Sequence, residues 1–216
     1  MLCQTAIVYS RKIDDTIYTF GHEGMLYRAS FVMYDKQTNS LWVHTTGEAV
    51  KGPSKGKVLT FLPSTVTSWK RWRKLHPETS VLTGARARGR MGNFDFAKRP
   101  DNYGLSIGQG ASPKLYPFEI LMKERVLNDQ HEDRPVVLVY DTESGTARAY
   151  ERGSHTFIWK DGAVIDESGR AWDMLRGVPT SGSPERLTQV PATAWLIKRW
   201  QGFHPRAATH SAPITD

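Results

Sequence analysis

A fifteen-residue segment occurs twice in this chain. Pro63–Pro77 reads PSTVTSWKRWRKLHP and Pro191–Pro205 reads PATAWLIKRWQGFHP, with seven identical positions and no gap. The identical pairs are Pro63/Pro191, Thr65/Thr193, Lys70/Lys198, Arg71/Arg199, Trp72/Trp200, His76/His204 and Pro77/Pro205. Such self-similarity is typical of a repeat architecture, so we expect the chain to fold into two related units.

Each copy of the segment predicts one short helix. Thr65 and Thr193 suit an N-cap, where a hydroxyl accepts a hydrogen bond from an unpaired amide of the first turn. Proline disfavours helical backbone in the residue before it, so both helices should end at His76 and His204. These histidines could act as metal ligands, but interaction with the free carbonyl groups of the last turn is the favoured interpretation.

Apolar residues recur at helical spacing in both copies and predict one buried face per helix. Trp72 and Trp200 belong to this face, and we expect both to be core residues. The Lys-Arg pairs fall on the opposite face. Basic residues with tryptophans nearby are also found in nucleic-acid sites, but rings and charges on opposite faces favour a solvated helix surface. Nucleic acid is therefore not an expected partner.

The repeat extends upstream of the helix. Thr5–Arg11 reads TAIVYSR and Thr146–Arg152 reads TARAYER. In the second copy this strand follows Pro135–Tyr140 and a turn-forming DTESG, which together predict a hairpin. The first copy has no such partner strand. We therefore expect the first repeat to be incomplete at its N-terminus, with a degenerate terminal repeat as the alternative.

Further strand signals follow in both copies. TIYTF is matched by HTFIW, and we expect turns at Gly21–Gly24 (GHEG) and at Asp161-Gly162. The first copy then carries seven extra residues between Gly24 and Asp35, rich in aromatics. Each repeat should comprise about five short strands closed by one short helix, which predicts a mainly β, α+β fold.

The predicted organisation has three parts that pack into one compact body. Residues 1–82 form the first repeat, 83–116 an irregular, glycine-rich basic linker, and 117–210 the second repeat. Within the linker, six basic residues stand against two acidic ones, and the whole chain has a net charge of +7 and a pI near 9.5. PFEILMKERVL, at the start of the second repeat, fits a helix or a strand equally well.

Several classes of protein are disfavoured. The longest apolar run, Val136–Tyr140, is far shorter than the ~20 residues of a membrane helix, so no membrane span is expected. Cys3 is the only cysteine, so no internal disulfide can form. No secretory signal is recognisable. The compartment and the oligomeric state stay open.

Gly104-Leu-Ser106-Ile-Gly108 matches the G-x-S-x-G pattern of hydrolase nucleophile elbows. That motif requires a strand before the serine and a helix after it. Loop-forming residues flank it on both sides in this chain. The pattern therefore favours an ordinary loop over a catalytic serine.

The first repeat holds polar residues that the second lacks. They are Cys3, His22, Glu23, Arg28, His44 and Glu48. A thiol, two imidazoles and two carboxylates could bind zinc or copper, or supply a nucleophile with its base. Their spacing matches no metal motif, and ordinary strand and turn residues are the alternative interpretation.

Three hypotheses of function follow. The leading one is a β-rich domain that binds a small-molecule ligand or a metal on the first repeat. The second is an enzyme that uses Cys3 as a nucleophile or redox thiol. The third is a polyanion-binding module that uses the basic linker. Neither the reaction nor a cofactor can be specified from these residues.

The first half resembles the domain of unknown function 3179 family of bacteria and archaea. TAIVYSR, TFGHEG, VMYDKQTNSLW, TGEAVKGP and the WKRWRKLHP helix carry the resemblance, and the second half looks like the degenerate second copy usual there. The resemblance implies an opening Tyr-Cys-Pro-Leu-Cys segment, of which only Leu2 and Cys3 remain, and this supports truncation. It implies glutamine at the position of His44, which weakens a metal role for that residue. The resemblance implies no activity. Some members of the family look exported, so a missing N-terminal segment could have held a secretory signal.

Overall fold

A computed structural model describes residues 5–81, 96–108 and 112–211. The chain is mainly β with short helices, which confirms the predicted α+β class. The elements of the first repeat are β1 (Lys12–Ile13), β2 (Thr16–Ile17), β3 (Phe20–Tyr27), β4 (Ser30–Asp35), β5 (Leu41–Val43), β6 (Ala49–Lys51) and α1 (Trp69–Leu75). No helix among the described residues is long and apolar enough to cross a membrane.

The second half contains the remaining elements. They are β7 (Tyr103–Ile107), β8 (Lys114–Pro117), α2 (Phe118–Glu124), β9 (Val126–His131), β10 (Arg134–Asp141), β11 (Thr146–Glu151), β12 (Ile158–Lys160), β13 (Ala163–Ile165), β14 (Ala171–Asp173), β15 (Val178–Pro179), β16 (Thr188–Gln189), β17 (Ala192–Leu196), α3 (Ile197–Phe203) and β18 (Ala208–Thr209). Two short 3-10 turns, Phe96–Lys98 and Pro100–Asn102, precede β7.

Each repeat contains one four-stranded antiparallel sheet of consecutive strands. The first has the order β3-β4-β5-β6 and the second β12-β13-β14-β15. The predicted hairpin of the second copy is present as β10 and β11, within a sheet of order β16-β11-β10-β9. Another four-stranded sheet has the order β17-β7-β8-β18. In the chain, β7 and β8 precede the other two sheets of the second half, and β17 and β18 follow them.

The repeat symmetry extends to individual hydrogen bonds of the two cores. Trp42 is fully buried, and its indole N–H donates to the carboxylate of Asp35 at 2.8 Å. Trp172 donates in the same way to Asp166 at 2.9 Å. Hydrogen bonds to these carboxylates outweigh the cost of burial, so the pKa of both aspartates is lowered. A buried aspartate that accepts the indole hydrogen bond of the following tryptophan in both copies supports the predicted repeat.

A second pair of bonds links Tyr9 and Tyr150, which occupy equivalent positions, to the turn that follows the tryptophan. Tyr150 lies in β11, whereas the strand predicted at Thr5–Arg11 is reduced to an isolated bridge between Tyr9 and Phe61. The hydroxyl of Tyr9 donates to the backbone carbonyl of His44 at 3.0 Å, and that of Tyr150 to the carbonyl of Met174 at 2.7 Å. His44 and Met174 therefore occupy equivalent positions. Both repeats thus make the same contact to a backbone carbonyl, although the accepting residue is histidine in the first and methionine in the second.

Hydrogen bonds also join the two repeats, and they are reciprocal. The hydroxyl of Thr5 donates to the carbonyl of Ala194, just before α3, at 2.8 Å. The hydroxyl of Thr146, at the equivalent position, donates to the carbonyl of Val66, just before α1, at 2.8 Å. Each repeat thus binds the segment that leads into the other repeat's helix. We call this pair of bonds the threonine clasp.

The predicted helix ends are confirmed, whereas the predicted starts are wrong. His76 and His204 cap α1 and α3 through backbone N–H donation to the carbonyls of Trp72 and Trp200. The N-cap of α1 is Ser68, whose side chain accepts from the amide of Arg71. Neither predicted threonine caps a helix. Thr193 lies inside β17, because that segment pairs with β7 as a strand until residue 196.

The expected turn at Gly21–Gly24 is also wrong. β3 continues through this segment to Tyr27, and the chain reverses at Arg28-Ala29, where both residues have positive φ. Gly21 is required for a different reason, because a Cβ there would lie 2.5 Å from the ring of Tyr34. The seven extra residues of the first copy thus lengthen one hairpin. In the second copy the turn at Asp161-Gly162 is confirmed by positive φ at both residues.

The described part of residues 83–116 is not an irregular linker. β7 is buried along its whole length, and β8 pairs with it. The core around them is formed by Phe96, Leu105, Tyr116, Phe118 and Leu138, among others. Glycines in this segment hid the strand signal, since Gly104 lies in β7 with no room for a Cβ beside the carbonyl of Tyr116. The ambiguous PFEILMKERVL divides between α2 and β9.

The two repeat tryptophans differ in burial, which corrects the expectation that both are core residues. Trp200 is fully buried, and its indole donates to the hydroxyl of Ser106 at 2.8 Å. Trp72 is half-buried and stacks on His76 with ring centroids 4.1 Å apart. The cause is the covering element, because β7 and β8 pack over α3 and nothing equivalent covers α1 among the described residues.

Replacement of Trp200 by alanine should lower the free energy of unfolding by about 3–5 kcal/mol, since a buried ring is lost and a cavity is left. Trp72→Ala should cost clearly less, because its ring is already partly solvated. Denaturant midpoints of the two variants measure the difference. Equal losses would contradict this account of their environments.

Candidate functional site

A cavity of about 250 Å³ lies where the first repeat meets α3 of the second. The first repeat contributes one wall and the second half of the chain the other. The lining residues are Ile7, Tyr9, Thr45, Thr46, Glu48, Val58 and Phe61 from the first, and Ser106, Gly108, Thr193, Trp195, Phe203 and His204 from the second. We call this space the inter-repeat cavity.

A tight turn after β5 forms the first wall. Gly47 has a φ of 69° and donates to the carbonyl of Val43 at 2.8 Å, which closes the turn. The amide of Leu59 in turn donates to the carbonyl of Gly47 at 2.9 Å, and Glu48 forms a bridge with Val58. The backbone that carries Thr45 and Glu48 is therefore fixed from both sides.

The second wall is aromatic. Trp195 is buried at the end of β17, and Phe203 and His204 form the last turn of α3. The ring centroid of Trp195 lies 5.9 Å from that of Phe203 and 6.0 Å from that of His204. This spacing is typical of packed aromatic side chains. On the opposite side, Tyr9 and Phe61 pack with centroids 6.0 Å apart.

Thr45 is a residue of the described lining whose polar group makes no hydrogen bond within the protein. It is buried, and its hydroxyl has no hydrogen-bond partner although it borders the cavity. A buried hydroxyl without a partner costs about 1–3 kcal/mol. A molecule in the cavity would recover this energy by bonding to it.

The charge of the cavity differs from that of the protein. No lysine or arginine is among its described lining residues, although the chain carries a net charge of +7. Burial lowers the pKa of His204 and raises that of Tyr9, so both are neutral at pH 7. Glu48, which is exposed, therefore supplies the formal charge of the described lining.

The structure brings together only part of the predicted site. The imidazoles of His22 and His44 both stack on Phe31, at centroid distances of 5.3 and 4.1 Å. Phe31 lies on β4, between the strand of His22 and the chain that follows β5, so its ring separates the two imidazoles. Zinc–nitrogen bonds are about 2 Å long, so one ion cannot bind both.

The other predicted residues lie apart. Glu23 and Arg28 are exposed on the β3–β4 hairpin, while Glu48 lines the inter-repeat cavity. Cys3 lies outside the described residues, as do Arg86, Arg88 and Arg90 of the basic segment, so the thiol-enzyme and polyanion hypotheses stay predictions. Within residues 5–81, 96–108 and 112–211, no three metal-binding side chains cluster around one point.

The G-x-S-x-G pattern does not form a nucleophile elbow. Ser106 lies within β7, where it is buried and accepts the indole hydrogen bond of Trp200. A nucleophilic serine needs an exposed, strained turn between a strand and a helix. This serine is instead a structural acceptor at the edge of the cavity. The loop predicted from the flanking residues is wrong, because Ser106 lies inside a buried strand.

Comparison with known proteins gives one match. The model of a family described as "Protein of unknown function (DUF3179)" matches residues 1–105. The matched range is just under half of the chain, and it confirms the resemblance predicted for the first half. No curated protein and no solved structure gives a significant match to the chain.

The DUF3179 segment contains only one wall of the cavity. Tyr9, Thr45, Glu48 and Phe61 lie within the matched range, whereas Trp195 and the α3 residues lie beyond it. The predicted resemblance of the second half to the family therefore rests on the internal repeat. The cavity is a joint product of both halves.

Sequence reasoning missed most of the cavity. One signal was available, because Phe61 stands where the second repeat has Gln189 between otherwise similar residues. Gln189 donates to the carbonyl of Ser64 at 2.9 Å and so spans the space between the repeats. Trp195 and Phe203 could not be paired with Phe61 without knowing which repeat each helix packs against.

His44 is buried, and its Nδ1 atom has no hydrogen-bond partner. Burial lowers its pKa to about 4, so the folded protein holds this imidazole neutral. An unfolded chain binds the proton near pH 6.5. Stability should therefore be intact above pH 6.5 and fall as pH drops from 6.5 toward 4, because the unfolded state then binds more protons.

We expect His44→Met to remove this loss. Methionine is the residue at the equivalent position of the second repeat, Met174, so the backbone contact is retained. Urea unfolding at pH 7 and pH 4 should show wild type losing about 3 kcal/mol more than the variant. His76→Met, at an exposed histidine, is the control. Equal pH dependence in wild type and His44→Met would refute the assignment.

Proposed function

We propose that the protein binds a small organic cation, a primary or quaternary amine, in the inter-repeat cavity. The supporting observation is the lining itself, which combines four aromatic side chains with one carboxylate and, among its described residues, no basic side chain. The proposal keeps the predicted ligand-binding role and extends the site from the first repeat to its boundary with the second.

Aromatic side chains are suited to this ligand. The faces of tryptophan, tyrosine and phenylalanine rings attract cations by about 0.5–2 kcal/mol each, most strongly where water is excluded. Tyr9, Phe61, Trp195 and Phe203 supply such rings from both walls. A volume of about 250 Å³ limits the ligand to a small molecule.

The polar groups complement an amine that also carries a hydroxyl or carbonyl group. Glu48 at the open side would pair with the positive charge, and the unsatisfied hydroxyl of Thr45 would bond to the ligand's polar substituent. Glu48 and His204 are the carboxylate and imidazole among the described lining residues, too few for a tetrahedral metal site. The cavity thus favours the organic ligand over the metal.

Choline and its neutral isostere 3,3-dimethyl-1-butanol provide a direct test by isothermal titration calorimetry. Choline should bind, and the isostere should bind at least tenfold more weakly, because only the charge differs between them. Glu48→Gln should weaken choline binding by about tenfold, equivalent to about 1.4 kcal/mol.

Glu23→Gln is the matched control, since it removes an exposed carboxylate of the same repeat outside the cavity. It should leave choline binding unchanged. Equal affinity for choline and its isostere, or equal effects of the two Glu→Gln changes, would show that the cavity does not select cations.

A further inference from the structure

A second cavity, of about 330 Å³, lies between α1 of the first repeat and the β10–β11 hairpin of the second. Its wall includes two arginines, Arg71 and Arg148, and two tryptophans, Trp159 and Trp172. It also includes three carboxylates, Asp141, Glu143 and Asp173, the last of which accepts hydrogen bonds from the backbone amides of Leu175 and Arg176. It is separate from the inter-repeat cavity, and the argument for its ligand does not depend on the function proposed above. We call it the arginine cavity.

Arg148 is an unusual residue for its position. It is only 4% exposed, yet its guanidinium makes no hydrogen bond shorter than 3.5 Å among the described residues. The carboxylate of Asp141 lies 3.7 Å from one of its terminal nitrogens, and its Nε atom is buried without a partner. A guanidinium has five N–H donors, and burying its charge without hydrogen bonds is costly.

The nearby carboxylates are already engaged. The two oxygens of Asp141 accept hydrogen bonds from the amide of Glu143 at 3.1 Å and the hydroxyl of Ser144 at 2.6 Å. Glu143 binds Arg71 at 2.7 Å, and the buried Nε atom of Arg71 makes no hydrogen bond but lies 3.7 Å from the carboxylate of Asp141. Two buried Nε–H donors, one from each repeat, therefore border the same cavity unsatisfied.

The fold itself does not require a cation here. The equivalent position in the first repeat is Ile7, which packs against α3 residues as an apolar side chain. Arg148 lies on β11 opposite Val139, and its neighbour on the same face, Tyr150, belongs to the apolar core of the second repeat. Burial also lowers the pKa of Arg148. An apolar residue would serve packing at lower cost.

We propose that the arginine cavity binds a small organic oxyanion, a carboxylate or a phosphate ester, through Arg148 and Arg71. Guanidinium groups match the two oxygens of such anions with parallel, charge-assisted hydrogen bonds. Trp172, which is buried, and Trp159, which is half-exposed, provide a wall for an apolar or aromatic body. The anion supplies the acceptors that Asp141 and Glu143 do not.

Benzoate and phenyl phosphate are suitable probes, with benzamide as the neutral control. Nitrogen-15 NMR of the wild-type chain observes the arginine Nε–H groups directly. Benzoate or phenyl phosphate should shift the Arg148 signal in a saturable way, and benzamide should not. A response to benzoate alone identifies a carboxylate site, and a response to phenyl phosphate alone a phosphate-ester site. The proposal is overturned if neither probe shifts this signal at millimolar concentration.

Variants provide an independent test. Arg148→Met should weaken binding of the responding probe at least tenfold, and it should fold at least as stably as wild type because a buried charge is removed. Arg206→Met, at an exposed arginine outside the cavity, should leave affinity unchanged. Undiminished binding by Arg148→Met would refute the site. If Arg148→Met does not fold, the charge of Arg148 is needed for the structure. The proposed anion site is then refuted if neither probe shifts the Arg148 signal in the wild-type NMR titration.

Discussion

The threonine clasp is the contact on which the arrangement of the two repeats depends. In each direction, the hydroxyl of Thr5 or of its counterpart Thr146 donates to a carbonyl just before the other repeat's helix. Thr146 is buried, so the loss of its bond would leave a polar group without water. A buried hydrogen bond adds little net stability, but its loss is costly. Such a bond therefore favours the one arrangement of the two repeats in which it can form. It fixes α3 against the first repeat and α1 against the second.

Both cavities follow from this exchange of helices. Each helix packs on the partner repeat and leaves a space beside the sheet of that repeat. Residues that differ between the two repeats determine which side chains line the space. Phe61 leaves the inter-repeat cavity open, whereas its counterpart Gln189 bonds across to Ser64. Arg148 introduces charge where Ile7 is apolar. One scaffold thus presents an aromatic space with a single carboxylate and a second space in which two arginines lie among carboxylates.

The sequence predicted the features that local signals determine. The repeat, the β-rich class, the helix ends before proline and the hairpin at Asp161-Gly162 are confirmed, because each depends on a few neighbouring residues. The turn at GHEG failed because the glycine accommodates the ring of Tyr34 on the adjacent strand, a contact invisible in sequence. The strand β7 was missed because glycines interrupt its signal and because one of its two partners, β17, lies near the other end of the chain.

The candidate site was predicted least well because it is built between repeats. Of the predicted site residues that the structure describes, Glu48 is the one that lines the inter-repeat cavity, and the imidazoles of His22 and His44 are held apart by Phe31. Residue types can indicate chemistry, but the cross-repeat pairing of Tyr9 with Trp195 depends on which helix covers which sheet. The threonine clasp sets that choice, and no local pattern encodes it.

The stability of Thr146→Val tests this account most directly, because valine keeps the shape of threonine and removes only the hydroxyl. We expect a loss of about 1–3 kcal/mol in urea unfolding, since the carbonyl of Val66 loses its donor across the repeat boundary. The hydroxyl of Ser144 loses a partner at 2.9 Å but keeps its bond to Asp141. Thr16→Val, at an exposed threonine of β2, serves as the control and should change stability little. Equal stability of the two variants would contradict the claim that the clasp holds the repeats together.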